Sequence, residues 1–265
     1  NYLVRSGLHS YVARFGFLLN PLLGIDREKE ILNTTRAAGR GLGPDVVGHF
    51  SKHRLLVVRY IEGVVFDKSC AQESEHIVLV ARLLRILHAE GPWCVNYRDV
   101  FLDIKEYVAQ AHTRDSWIPE NTVEYFRTLC IVEGLLGVVN KTACHFDLML
   151  GNIVKTHDGM LKLIDWEYSA NGDPRFDVAM FALKAGLNRP QKKEFLDAYN
   201  YCRDKREGTV AIEELQLMKM AVCMREASWG MLQNSISEMK NDFDYKQYAV
   251  EHLELFDALK RKIAL

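Results

Sequence analysis

Two stretches of this chain carry polar residues at spacings suited to chemistry. The first runs Ala143-Cys-His-Phe-Asp-Leu-Met-Leu-Gly-Asn-Ile-Val154 and the second Leu161-Lys-Leu-Ile-Asp-Trp-Glu-Tyr168. Asp147 and Asn152 flank a tight polar loop that is expected to end a buried helix and enter a strand. Asp165 stands where the next hydrophobic strand runs out. Three oxygen-bearing side chains thus converge on one end of a two-stranded ribbon. Hard oxygen donors of this kind suit Mg²⁺, which is bound through a few carboxylates together with substrate phosphates. A lone His-x-Asp pair says little, and His145 alone reads as a structural hydrogen-bonder. A hydrolytic metal site on His145 and Asp147 would need a second His at i+3 or i+4, and the sequence has none there. The combination is more specific: His-x-Asp, an Asn five residues past the Asp, a turn, then apolar-Ile-Asp.

The elements that must position these groups follow from patterning. Tyr2 to Arg5 and Tyr11 to Phe15 are β-rich runs joined at Ser6-Gly7, a hairpin pattern. Asp26 is a good N-cap for a helix that Gly39, Gly41 and Gly43-Pro44 end. Val46 to Phe50 and Leu55 to Ile61 read as two more strands around Ser51-Lys52-His53, and Glu62-Gly63 interrupts the pattern. Nearly everything afterwards reads as helical: His76 to His88, Val100 to His112 and Thr122 to Val139. In the last of these, Val123, Phe126, Cys130, Leu135 and Val139 recur at helical spacing as its apolar face. A strand-rich island interrupts from Ala143 to Asp165, with Asp158-Gly159 as its turn. Phe176 to Gly186, Gln191 to Tyr201, Ile212 to Ser237 and Tyr245 to Ile263 are helical again. The expectation is an α+β chain: a small β-rich lobe over residues 1–61 and a larger helical lobe over 62–265 with one inserted β-hairpin.

Composition bounds the partners. The 265 residues are 48% hydrophobic and 26% charged, ordinary for a globular protein. Lys plus Arg is 34 against 35 for Asp plus Glu, a net charge of −1, which gives no support for nucleic-acid or polybasic membrane binding. No apolar run approaches the roughly 18 residues of a spanning helix, since Asn20 and Pro21 break Phe17 to Ile25. Arg5, His9 and Arg14 make the N-terminal stretch unlike a signal peptide. The six cysteines (70, 94, 130, 144, 202 and 223) lack any Cys-x-x-Cys and read as free thiols of a cytoplasmic protein. The chain starts at Asn1 inside a strand pattern, so a preceding segment is expected.

With these residues in view, the sequence resembles the choline/ethanolamine kinase and aminoglycoside phosphotransferase family, which has the two-lobed, protein-kinase-like fold. His145, Asp147 and Asn152 match its His-x-Asp-x₄-Asn catalytic loop. Asp165-Trp-Glu167 matches its Asp-[Phe/Trp]-Glu, where protein kinases carry Asp-Phe-Gly. That difference and the lack of a downstream Ala-Pro-Glu argue against a protein kinase. The resemblance implies ATP and Mg²⁺ as cofactors, with Asp147 receiving the acceptor's hydroxyl proton and Asn152, Asp165 and Glu167 holding the metal. It places Arg14, in Tyr11-Val-Ala-Arg-Phe15, at the nucleotide phosphates with Glu30 as its ion-pair partner. Val58-Arg59-Tyr60-Ile61-Glu-Gly63 resembles the hinge that meets adenine. The phosphate loop is expected immediately before Asn1, and Asp177, in Gly172-Asp-Pro-Arg-Phe-Asp177, is expected to brace the catalytic loop.

The C-terminal stretches Glu226-Ala-Ser-Trp229-Gly-Met-Leu-Gln233 and Asp242-Phe-Asp-Tyr245-Lys-Gln-Tyr248-Ala249 resemble the end of choline kinases, where aromatic side chains line the choline pocket. Such aromatics also pack cores, and the Met218, Met220, Met224, Met231 series reads as packing. A quaternary ammonium cannot donate hydrogen bonds and is recognised by ring faces, so Trp229, Tyr168, Tyr245 and Tyr248 are the candidate substrate residues. Lys184 departs from the family, standing where many choline kinases carry an acidic residue. The acceptor implied is a choline-like small molecule. Ethanolamine, thiamine and an aminoglycoside remain open, as does a nucleotide-binding pseudokinase, and oligomeric state is not legible.

Overall fold

The N-terminal sheet begins as a hairpin, because the Ser6-Gly7 turn joins two runs of residues that favour extended backbone. In the computed structural model, which describes residues 1–16, 20–89, 91, 93–201, 209–237 and 243–263, these are β1 (Tyr2–Ser6) and β2 (His9–Phe15). Asp26 then caps α1 (Arg27–Gly39), its carboxylate accepting from the Glu28 and Lys29 N–H groups at 3.1 and 3.3 Å. β3 (Val46–Phe50) and β4 (Leu55–Arg59) complete an antiparallel sheet of order β1-β2-β4-β3, in which Arg14 pairs with Leu56.

Helix is not continuous beyond this point. β5 (Gly63–Val65) pairs antiparallel with the later island, and a short α2 (Lys68–Ala71) precedes α3 (Ser74–Ala89). Three strand residues leave too little pattern to read from sequence. Gly63 is required here: a Cβ would collide with the Lys155 carbonyl of the paired strand, which is backbone and cannot move aside. α4 (Val100–His112) and α5 (Thr122–Leu136) follow, then β6 (Thr142–Cys144), β7 (Ile153–Thr156), β8 (Leu161–Leu163) and β9 (Ala170–Gly172). β5, β7 and β8 form one sheet, and β6 with β9 another. The loop that carries Asp147 therefore leaves a buried strand, β6, rather than a helix. The remaining elements are α6 (Arg175–Lys184), α7 (Arg189–Asn200), α8 (Ile212–Ile236) and α9 (Tyr245–Ile263).

Compactness groups the chain otherwise than into residues 1–61 and 62–265. One unit comprises Asn1–Tyr97 with Asn140–Thr209, and the other Arg98–Val139 with Val210–Leu265. Pairing between β5 and β7, together with the Leu163 N–H donating to the Leu42 carbonyl at 2.8 Å, joins the island to the N-terminal residues. The first unit buries Ala37, Leu56, Ile77, Leu84, Ile153, Trp166 and Phe176. The second is a helical assembly in which α8 packs on α4, α5 and α9. Gly230 of α8 is needed there, since a Cβ would lie 2.9 Å from the Tyr245 carbonyl of α9.

One helix face is reversed from expectation. α5 buries Tyr125, Thr128, Leu129, Val132 and Leu136, whereas Val123, Cys130 and Leu135 are exposed. Both stripes are apolar at helical spacing, and packing on α8 selects the one that carries Tyr125, whose hydroxyl donates to Asp257 at 3.1 Å. Among the described residues no helix is long and apolar enough to cross a membrane. Cys70, Cys94, Cys130, Cys144 and Cys223 are in no disulfide, and Cys202 lies outside the described residues, as does Asp242. Burial pushes the Cys94 thiol up to about 12, so it stays protonated.

Because Asp26 satisfies two of the orphan N–H groups that open α1, Asp26→Ala should cost about 1 kcal/mol of stability. Differential scanning calorimetry should show a melting temperature roughly 2–4 °C lower.

Candidate active site

Arg14, on β2, gathers the site. Its Nη1 lies 3.2 Å from Glu30 Oε1 on α1 and 2.7 Å from Asp165 Oδ1, and its Nη2 donates to Glu167 Oε2 at 3.0 Å. Arg27, one turn before Glu30, reaches the same carboxylates: its Nη1 meets Glu30 Oε2, and Glu167 Oε2 at 3.0 Å. Glu30 is 1% exposed, and a carboxylate so buried would be costly unpaired; here each of its oxygens faces a guanidinium. Burial opposes the charge on Arg14, but Asp165, Glu30 and Glu167 more than reverse this and hold it above its ordinary value. Glu167 shifts towards neutrality. Burial first, then the Asp165 charge, push its carboxyl up to about 7 against the pull of Arg14 and Arg27.

The loop that carries Asp147 is held from behind. Asp177, fully buried on α6, accepts from the His145 N–H at 2.7 Å through Oδ2 and from the Phe146 N–H at 2.9 Å through Oδ1. This fixes Phe146 at φ +61°, a left-handed conformation that costs a non-glycine residue about 1 kcal/mol or more. His88 Nε2 donates to the same carboxylate at 3.3 Å, while its Nδ1 lies 2.8 Å from the buried Tyr199 hydroxyl of α7. His145 donates from Nε2 to the Ile164 carbonyl at 3.0 Å and rests edge-on against Trp166, and burial lowers its pKa. It is a structural group that ties the Asp147 loop to the strand leading into Asp165. Asn152 donates its amide NH₂ to the Asp147 carbonyl at 2.8 Å and to Asp147 Oδ2 at 3.0 Å. The Ile164 N–H in turn donates to the Asn152 carbonyl at 2.9 Å.

Arg14, Glu30 and Asp165 form the polar end of a cavity of about 140 Å³. Val12, Leu56, Val58 and Val154 supply its apolar wall, and Arg59, Tyr60 and Ile61 line it at the strand end. The Tyr60 N–H is committed to the Ser10 carbonyl at 3.0 Å, so Tyr60 has no main-chain donor to offer a base there. Glu30, Asp165 and Glu167 each present an oxygen within 4.8 Å of the others, a hard-donor set that fits Mg²⁺.

The expected acceptor residues fall in both units. In the second unit, the Trp229 ring sits 5.7 Å from those of both Tyr245 and Tyr248, edge-on in each case, and Phe243 joins Tyr245 at 4.9 Å. The Tyr248 hydroxyl donates to Glu226 Oε2, and Arg225 Nη1 donates to Glu226 Oε1 at 2.7 Å. Tyr168 belongs to the first unit, 5% exposed in the turn after Asp165. Sequence reasoning missed Arg27, one charge in an Arg-Glu-Lys-Glu run that has no distinctive spacing. It also missed His88, which looked like the last residue of a helix. Only the contacts single them out.

Solved structures share this architecture. The crystal structure of choline kinase LicA from Streptococcus pneumoniae matches with a TM-score of 0.85 at 22% identity, covering 99% of this chain and 90% of that one. LicA in complex with AMP matches at 0.78 and 23% identity, covering 97% and 88%. The fold is the two-lobed, kinase-like α+β fold, in the form used by small-molecule kinases. The choline/ethanolamine kinase family profile matches residues 23–257, and the chain belongs to that family. Protein LicA of Haemophilus influenzae is 24% identical over 233 residues, 84% of this chain and 85% of that protein. A LicA homolog of Metamycoplasma hominis is 43% identical over 65 residues, which span 24% of this chain and 26% of that protein.

The raised Glu167 carboxyl has a stability consequence. With its pKa near 7 when folded and an ordinary value of 4.5, the native state holds the extra proton between those limits. Stability from this group is therefore present below about pH 4.5 and is lost as pH rises towards 7. Melting temperatures measured from pH 5 to pH 7.5 should fall less steeply in Glu167→Gln than in the parent protein.

Proposed function

We propose that this kinase transfers the γ-phosphoryl group of ATP to the hydroxyl of choline, with Mg²⁺ as the metal. Asp147, held by Asn152, accepts the hydroxyl proton as the oxygen attacks, and the leaving group departs as ADP. Asn152, Asp165 and Glu167 hold the metal, which supplies charge neutralisation across the transferring phosphate. Arg14 meets the nucleotide phosphates, steadied by Glu30, and the backbone near Arg59 and Ile61 meets adenine in the cavity. Phosphoryl transfer asks the protein for position and charge rather than covalent chemistry. The supports are family membership, the AMP complex of the LicA neighbour and the intact Asp147, Asn152 and Asp165.

The observation that favours choline over a primary amine is the state of Glu226. Both of its oxygens already accept, one from Arg225 and one from Tyr248, beside the ring faces of Trp229, Tyr245 and Tyr248. A primary ammonium seeks hydrogen-bond acceptors to replace its water. A quaternary ammonium needs only π-faces and a nearby negative charge.

Two measurements test this reading. An ADP-release assay over choline, ethanolamine, thiamine and an aminoglycoside should give the highest kcat/KM with choline, and Asp147→Asn should lower kcat about 10²–10⁴-fold while ATP still binds. A turnover close to the parent's in Asp147→Asn removes it as the base. Trp229→Ala should raise the KM for choline roughly thirtyfold, the worth of a desolvated cation–π contact of about 2 kcal/mol, without moving the KM for ATP. If Trp229 serves only to pack α8 on α9, the melting temperature falls and the choline KM stays in place.

A further inference from the structure

Arg27 has no part in the chemistry above, yet it touches two of the site's carboxylates. The charges close into a ring. Arg14 Nη1 meets Glu30 Oε1, Glu30 Oε2 meets Arg27 Nη1, Arg27 Nη1 meets Glu167 Oε2, and Glu167 Oε2 meets Arg14 Nη2. Asp165 hangs on Arg14 outside the ring. The two arginines are not equivalent. Arg14 is central, with contacts to Glu30, Asp165 and Glu167, and its side chain is 13% exposed. Arg27 enters from the first turn of α1 and is 20% exposed. Of the two, it can leave without dismantling the Arg14–Glu30 pair.

We propose that Arg27 is an exchangeable counter-charge for Glu167, displaced when metal binds, and that it thereby makes metal and nucleotide load together. The inference rests on Asp165 and Glu167 being the metal's ligands. Arg14, Arg27, Glu30, Asp165 and Glu167 carry two positive and three negative formal charges, a sum of −1 with every group ionised. A divalent cation added alone reverses that sum to +1, in a place where like charges are poorly screened. A polyphosphate arriving with the cation supplies the missing negative charge, and the guanidinium that releases Glu167 is then beside a new anion. Neutralising Arg27 takes the sum to −2, which a dication balances by itself. The metal should then bind without waiting for nucleotide. The opposite possibility is that Arg27 holds Glu30 and Glu167 in place for the metal, in which case its loss weakens metal binding. The sign of the change decides between them.

The experiment is a titration of Mn²⁺ into the nucleotide-free protein, followed by the electron paramagnetic resonance signal of the free ion. It is repeated with a non-hydrolysable ATP analogue. Arg27→Gln, with Arg27→Met as a second neutral variant should the first fold poorly, should bind Mn²⁺ about tenfold more tightly than the parent without nucleotide. The further tightening that the analogue brings should shrink by a similar factor. Arg27→Lys, which keeps the charge, should stay close to the parent. Unchanged or weaker Mn²⁺ binding in a folded neutral variant overturns the proposal, as does Arg27→Lys behaving like Arg27→Gln. If the parent with analogue binds no more Mn²⁺ than the analogue alone, the metal assignment fails rather than the role of Arg27.

Discussion

The site depends on one guanidinium shared among three carboxylates that come from distant parts of the chain. Arg14 is supplied by a strand, Glu30 by the helix after it, and Asp165 and Glu167 by a turn some 150 residues later in sequence. Carboxylates gathered this closely repel one another, and burial sharpens the repulsion because little water remains to screen it. Arginine suits the position better than lysine would, since its planar fork can address several oxygens at once from one fixed geometry. The raised proton affinity of Glu167 is what the arrangement leaves uncompensated, and that residual tension is what a metal ion could relieve.

A second constraint holds the loop that bears Asp147. Its backbone enters the left-handed region at Phe146, and the Asp177 carboxylate receives the two adjacent N–H groups that this conformation turns inward. Asp177 is itself kept in register by His88, and His88 meets the Tyr199 hydroxyl. Position at the surface of the loop is thus set by a chain of hydrogen bonds that runs through the interior to α7. A buried network of this kind is costly if half-made and rigid when complete.

The sequence was legible where local rules act alone. The Ser6-Gly7 hairpin, the Asp26 cap, the bounds of α4 and α9 and the Asp158-Gly159 turn all follow from neighbouring residues. What escaped were features decided by a partner far along the chain. β5 and β9 have three residues each, too short for a pattern, and exist because another strand pairs with them. The α5 face was misjudged because two apolar stripes share the helix, and only packing on α8 distinguishes them. Asp147, Asn152 and Asp165 stood out because a tight loop and the turn that follows it constrain their spacing. Arg27 and His88 did not, since a charge on a helix and a histidine at its end have no distinctive local setting.

Asp165 itself sits at φ +67°, in a conformation that few side chains tolerate. Asparagine and glycine adopt it readily, and β-branched residues do not. In the genetic code an aspartate codon lies a single base change from both asparagine and glycine. A single base change can therefore remove the carboxylate while leaving a residue that accepts this backbone conformation. The backbone at this turn is thus compatible with losing the carboxylate that Arg14 holds, so the fold alone does not keep an acid there.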